Sequence, residues 1–214
     1  MKIFGYWRSS ATYRIRIILE LKGIPYDVVP VNLLEKQQQG DAYKRVNPTG
    51  LVPSLELPNG RHLGQSIAIA EYLEEAHPHP AILPSNPEER AFARMLAATI
   101  ACEAQTGMNL RIQTYLRHEG GFDDDAILAW LNKWPLDAMI AVDQLITAHG
   151  SKTGFALGAE PTMPDAFIVP QVFAAKRFGV DLSQCPRLVD IANHANTHEP
   201  FKKAHPDQQP DAPK

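Results

Sequence analysis

The sequence predicts two parts of different class, a small mixed α/β unit followed by an all-helical one. Three observations carry this. β-prone runs alternate with helical periodicities as far as about Ala76, a proline-dense stretch follows, and beyond it the strand signals stop. The 214 residues are 44% hydrophobic, 21% charged and 8% aromatic, which is ordinary for a folded protein and excludes disorder as the dominant state.

The elements follow in order. Residues 2–7 form a short β-prone run that ends at Arg8-Ser9-Ser10. From Thr12 the period changes: Ile15, Ile18 and Leu19 recur at helical spacing, with Glu20 and Lys22 on another face. Ser9 or Ser10 can cap this helix, and Gly23 suits the left-handed position just past its end. Residues 26–31 read as a second strand, so strand, helix and strand imply a right-handed βαβ unit. A short helix is expected over Asp41–Val46, stopped before Pro48. Residues 52–57 and 61–63 flank Pro58-Asn59-Gly60, where Asn-Gly favours a tight hairpin. Ser66 can cap a helix to about Ala76, with Ile69, Leu73 and Ala76 on one face. The order βαβ, short helix, ββα is the thioredoxin-like arrangement.

His77-Pro78-His79-Pro80, Pro84 and Pro87 mark a linker. We therefore expect a first domain over residues 1–79, a linker over 80–87 and a helical domain over 88–214. Helical periodicity runs through about 88–115, 126–148 and 165–178, with kinks or breaks expected at Pro135 and Pro170. The tail around His205–Pro210 is expected to be extended on the surface. Thr162-Met163-Pro164-Asp165 is a capping-box variant that opens an apolar helix.

Composition narrows the function. Lys and Arg total 21 against 24 Asp and Glu, a formal net charge of −3 without a basic stripe, so nucleic acid is not an expected partner. The first residues lack the apolar core of a signal peptide, and no apolar run approaches the ~18 residues that cross a bilayer, so no membrane partner is expected. Only Cys102 and Cys185 occur, without a CxxC. This argues against a disulfide framework or zinc site and for a reducing cytoplasm, both thiols being read as buried and inert. None of the eight histidines makes a metal-ligand spacing, and no metal is expected.

Three places can carry chemistry. Ser9 and Ser10 sit where a strand hands over to a helix, and free N–H groups there favour an anion such as a thiolate. A hydroxyl hydrogen bond would lower that thiol's pKa further. The plainer reading is that the serines only cap the helix. Val52, before Pro53, is held extended, and its N–H and C=O can pair with a peptide as an added strand would. Gln65-Ser66 opens another helix and offers a second anion site, suited to a carboxylate.

The run Tyr6-Trp7-Arg8-Ser9-Ser10-Ala11-Thr12-Tyr13-Arg14-Ile15-Arg16 resembles the signature of zeta-class glutathione transferases. Asn47-Pro48 with Val52-Pro53, Gln65-Ser66-Ile67-Ala68-Ile69, and Val169-Pro170-Gln171-Val172 leading to Arg177-Phe178 and Val180-Asp181-Leu182 extend the match, in order, over most of the chain. The resemblance implies the glutathione transferase fold, an α/β thioredoxin-like domain followed by an all-α domain. It also implies glutathione as cofactor, a small dicarboxylate as substrate and a cytoplasmic homodimer. Under it, Ser9 and Ser10 activate the glutathione thiol, with Tyr6, read as a packed strand aromatic, as the alternative. Val52 binds the cysteinyl part and Pro53 is cis. Gln65 and Ser66 hold the γ-glutamyl carboxylate. Gln38 is a further contact, with Gln37 and Gln39 as competing alignments in a shorter loop. Gln105 and Asn109 match residues lining the cleft, or are solvent-facing amides. Arg8, Arg111 and Arg177 match carboxylate ligands, or are solvated surface charges, whereas Arg14 and Arg16 read as structural or rim charges.

The family's usual cysteine after the two serines is Ala11 here. The activity implied is glutathione-dependent cis–trans isomerisation of maleylacetoacetate or maleylpyruvate by thiolate addition, rotation and elimination. Conjugation or α-haloacid dehalogenation uses the same thiolate. A transferase-like interaction protein without glutathione binding is the non-enzymatic alternative, opposed by Ser9, Val52-Pro53 and Gln65-Ser66.

Overall fold

A computed structural model describes residues 1–213; Lys214, the end of the expected helical domain, lies outside them. Contacts within the chain define two units, Met1–Ile82 together with the chain from Thr197 onward, and Leu83–Asn196.

The first unit holds a four-stranded mixed sheet, β1 (Lys2–Gly5), β2 (Asp27–Pro30), β3 (Ser54–Glu56) and β4 (His62–Gly64), in the order β2-β1-β3-β4. β2 is parallel to β1; β3 is antiparallel to both β1 and β4. Its helices are α1 (Ser10–Leu21), α2 (Asp41–Val46) and α3 (Ser66–Ala76). The strands are shorter than their β-prone runs, but the order is the thioredoxin-like one expected. Ile3, Ile15, Ile17, Ile18, Leu19, Leu55, Ile69 and Leu73 are fully buried, and each such side chain contributes about 1.5–3 kcal/mol. At the far ends of α1 and α3, the buried Lys22 ammonium donates to Glu74 Oε2 (2.7 Å), His77 O (2.8 Å) and Pro80 O (2.9 Å). Its three hydrogens are thereby satisfied, and the proline-rich segment is fixed to both helices.

Register decides where the candidate site sits. Gly5 pairs with Pro30, Phe4 with Ser54, and Ser54 with Gly64. The chain leaving β1 toward Ser9, the chain leaving β2, Val52-Pro53 entering β3 and Gln65-Ser66 leaving β4 therefore share one end of the sheet. The handover from β1 to α1 is tight, since a Cβ at Gly5 would overlap Thr12 Cγ2.

The second unit contains α4 (Pro87–Ala98), continued by a π-helical stretch (Thr99–Ala104) into α5 (Gln105–Met108), then α6 (Leu110–His118), α7 (Asp124–Leu131), α8 (Trp134–His149), α9 (Met163–Arg177) and α10 (Pro186–Ala195). The periodicity from 88 to 115 is thus interrupted at Asn109, where the backbone turns extended. Pro135 does open a new helix, α8. Pro170, where a kink or break was expected, lies inside an uninterrupted α9. Almost every residue from Met163 to Ala175 is buried, and that packing outweighs the roughly 3 kcal/mol that an interior proline costs. The capping box is present: the fully buried Asp165 carboxylate accepts from Thr162 N (2.7 Å), Thr162 Oγ1 (2.9 Å) and Ala156 N (2.8 Å).

Three expectations are corrected. Cys102 is exposed on the π-helical stretch, and only Cys185 is buried. The last part of the chain is not extended. It forms α11 (Glu199–Ala204), which packs on α1, and then a 3₁₀ turn (Pro206–Gln208) with Pro206 and Gln209 buried. It consequently groups with the first unit rather than with residues 88–196, because Phe201 and Ala204 bury their apolar faces there.

Candidate active site

At the sheet end defined above, Ser9 is the N-cap of α1, its Oγ accepting from Thr12 N at 3.3 Å. Capping and thiol activation are compatible, because a hydroxyl that accepts this bond keeps its own hydrogen to donate. Ser10, buried, is the first helical residue, and its N–H and that of Ala11 have no carbonyl within the helix to bond. Tyr6 is buried beside Trp7, with rings 5.9 Å apart, as a packed strand aromatic would be. Arg8 is half-buried, with its guanidinium 5.1 Å from the Trp7 ring centre.

The Val52–Pro53 peptide is cis. The loop before it is braced: Leu51 O accepts from Tyr43 Oη and from Asn47 Nδ2, both at 2.7 Å. Asn47 Oδ1 in turn accepts from Thr49 Oγ1 at 2.8 Å. Among the described residues no hydrogen bond engages the Val52 N–H or C=O, so both stay open to an added strand.

Gln65 adopts φ 65°, ψ 115°, a left-handed backbone that only strong local constraint imposes on a residue with a Cβ. The bend turns the chain from β4 into α3 and presents the first-turn N–H groups from Ser66 onward. Ser66 Oγ accepts from Arg14 Nη1 at 3.2 Å, and Arg14 is 1% exposed. A buried cation therefore stands behind a helix N-terminus, and both favour an anion there. From the sequence Arg14 reads as a structural or rim charge; the signal for its buried place is the i, i+4 spacing from Ser10 on a helix whose sides are both buried.

Of the three glutamines, Gln37 Oε1 accepts from Asn32 N (2.8 Å) and Gln39 Nε2 donates to Gly50 O (3.4 Å). The Gln38 Oε1 is buried and has no partner among the described residues. Gln38 is thus the one of the three that carries a buried oxygen without a partner.

In the second unit Gln105 opens α5, half-buried and engaged in contacts of its own. Asn109 is a cap, its Oδ1 accepting from Arg111 N at 3.0 Å. It therefore anchors the start of α6, and the exposed Arg111 follows from that anchor. Arg177 is exposed at the end of α9, its guanidinium 4.2 Å from the Phe178 ring centre. Arg111 and Arg177 lie on different helices. Among the described residues no cluster of His, Cys, Asp and Glu could hold a metal ion, and no helix is long and apolar enough to cross a membrane.

Residues 8–76 match the family described as "Glutathione S-transferase, N-terminal domain". Over its full length the chain is 41% identical to maleylacetoacetate isomerase of Pseudomonas aeruginosa, covering 99% of that protein. The chain belongs to the zeta-class glutathione transferase family. A bacterial maleylpyruvate isomerase, described as a glutathione S-transferase in zeta class, superposes with a TM-score of 0.95 at 38% identity, covering all of both chains. Maleylacetoacetate isomerase of Anaeromyxobacter dehalogenans, solved with bound dicarboxyethyl glutathione and citrate in the active site, gives 0.85 at 35% identity over 100% of this chain and 97% of that one.

Within this zeta-class chain, one further feature was invisible in the sequence. Trp7 N donates to Asp211 Oδ2 at 2.9 Å, and Trp7 O accepts from Arg16 Nη2 at 2.9 Å. Arg16 is fully buried and also donates to Ala204 O at 3.0 Å. Burial pulls its pKa down to about 10, an ordinary cation at neutral pH nonetheless.

Proposed function

We propose that this protein is a glutathione-dependent cis–trans isomerase acting on maleylacetoacetate or maleylpyruvate. The observation that carries the reading is the convergence of Ser9, the open Val52 backbone and the Arg14-backed Ser66 helix start at one end of the first unit's sheet. That donor set fits a tripeptide with a thiol and terminal carboxylates. Val52 takes the peptide as an added strand, Gln65 and Ser66 with the α3 N–H groups take the γ-glutamyl carboxylate, and the orphaned Gln38 Oε1 takes a donor from the same peptide. When bound, glutathione supplies a sulfur nucleophile able to add to the maleyl double bond and leave again.

Ser9 donates its hydroxyl hydrogen toward the thiolate, while the positive end of α1 and the Ser10 N–H hold the same charge. Arg8, Arg111 and Arg177 are assigned to the substrate carboxylates and to the negative charge that develops on its carbonyl, with Gln105 and Asn109 as polar contacts. The same footing carries a cytoplasmic homodimer, checked by light scattering and cell fractionation.

Turnover is expected to require glutathione and no protein cysteine. Burial, with the fields of Asp143 and Asp181, pushes the Cys185 thiol up to about 12, out of nucleophilic range. A Cys102→Ser/Cys185→Ser variant, confirmed folded by circular dichroism, is expected to keep turnover within about threefold of the parent, since a buried thiol packs as a small hydrophobe. Both proteins are assayed on maleylpyruvate, maleylacetoacetate and a haloacid, with and without glutathione. Glutathione-independent turnover, or a folded but inactive double variant, puts the nucleophile on the protein. Activity on the haloacid alone replaces isomerisation by dehalogenation.

Arg177→Ala is expected to raise KM for the dicarboxylate about tenfold or more, the worth of a charge-assisted contact, with glutathione affinity nearly intact. A parallel loss of glutathione affinity moves Arg177 to the other subsite; no change in either leaves it a solvated surface charge.

A further inference from the structure

We propose that the C-terminal segment is a positioning device for the Trp7-Arg8-Ser9 turn, with Asp211 and Arg16 as its two grips. The inference rests on the isomerase reading and deepens it. Arg8 and Ser9 sit in the turn between β1 and α1, where no strand partner fixes the backbone. Yet both backbone polar groups of Trp7, the residue just before Arg8, are held from outside. The Trp7 N–H goes to the Asp211 carboxylate, 204 positions along the chain, and the Trp7 C=O goes to the Arg16 guanidinium.

Arg16 in turn holds Ala204 O, so one buried guanidinium links the turn to α11. The 3₁₀ turn that carries the chain on to Asp211 is itself locked, because the buried Gln209 donates to Lys203 O (3.0 Å) and His205 O (2.9 Å). Asp211 lies in the field of Arg16, and Asp211 Oδ1 and Arg16 Nη1 are both buried without a hydrogen-bond partner among the described residues. Their remaining bonding capacity is thus kept off other protein groups, and the two named bonds act beside the turn's own Ser9 N–H to Tyr6 O bond of 3.0 Å. The Trp7 backbone is restrained while both hold. With its backbone fixed, the Arg8 guanidinium stacks on the Trp7 ring and the Ser9 hydroxyl keeps its direction.

A bond that merely stabilised the unit would affect every function alike. A positioning bond affects Arg8 and Ser9 and spares Val52, whose preceding loop is braced at Leu51 O, and Ser66, bonded by Arg14. Asp211→Ala and Asp211→Asn are therefore compared in the full chain. The asparagine carbonyl still accepts from Trp7 N–H; alanine does not. With whichever maleyl substrate the parent converts, Asp211→Ala is expected to lose about fivefold or more in kcat/KM, as small misplacements of binding groups do. Its glutathione dissociation constant stays within about twofold of the parent's, and Asp211→Asn restores most of the rate. Amide hydrogen exchange at Trp7 and Arg8 quickens in the alanine variant alone. Unchanged kcat/KM, an equal loss of glutathione affinity, or no rescue by asparagine overturns the proposal. If the parent converts neither substrate, the isomerase reading fails by itself, and the exchange rates still decide whether Asp211 holds the turn.

Discussion

Replacing Ser9 by alanine is expected to cut turnover about 100-fold, the usual loss when one preorganised donor to a developing charge is removed. Ser9 caps α1 through its oxygen and is proposed to donate its hydrogen to the glutathione thiolate, so alanine removes two functions together. The cap is worth about 1 kcal/mol of stability, whereas glycine at the same position gives back most of that loss. Ser9→Gly therefore separates the two. It should fold nearly as well as the parent and still lose the rate. Glutathione affinity should hold in both variants, because the tripeptide's backbone and carboxylate contacts lie elsewhere. Withdrawing a hydrogen bond from an anion raises its pKa, so the pH profile of the bound thiol should move up. A folded Ser9→Gly protein with the parent's turnover and pH profile would shift the role to Ser10 or Tyr6.

The largest stability effect is expected at Asp165, in the second unit. Alanine there strands three donors, two of them on Thr162 and one on the fully buried Ala156, and opens a hole under the start of α9. Each buried unmet donor costs about 1–3 kcal/mol, so a loss of about 3–5 kcal/mol and a fall of about 10 °C in thermal midpoint follow. Scanning calorimetry reads it; a loss below about 1 kcal/mol would show that the capping box is dispensable. The carboxyl also has a pH signature. Burial raises it from 3.8 to about 6, against the pull of the three donors. A folded state that holds its proton more tightly than the unfolded chain has that contribution in full below 3.8 and loses it as pH rises through about 6. Asparagine cannot titrate, so the parent should gain on Asp165→Asn as pH falls from neutral toward 4.

Local signals made much of this legible. The period change at Thr12, Gly23 at a left-handed position and Ser66 at a helix start each state a backbone requirement within a few residues, and α1, α2 and α3 fall where those requirements place them. Longer-range matters were not legible. The helical periodicities read from the sequence stop at 178 and leave out α10, although Pro186 suits the first turn of a helix and Leu188, Ile191, Ala192 and Ala195 keep the helical spacing of a buried face. The fate of Pro170 depends on how deeply α9 is buried, which no window of sequence reports. At the candidate site, Ser9, Val52 and Ser66 were singled out from their positions at element ends, and the register brings those ends together. The resemblance added Gln38, and the structure explains why Gln37 and Gln39 are the ones already engaged. The Asp211 contact with Trp7 had no local signal at all, since its partners stand at opposite ends of the chain.

The first unit is assembled from both ends of the chain, with the whole of Leu83–Asn196 between them. During synthesis the sheet and its three helices leave the ribosome long before α11 does. In that interval Arg16 lacks the Ala204 carbonyl, and Trp7 lacks the Asp211 carboxylate. The second unit is continuous and carries no such debt. Translation order thus runs opposite to completion order: the part begun first is finished last, and a nascent chain displays Ser9 before it can hold Ser9 still.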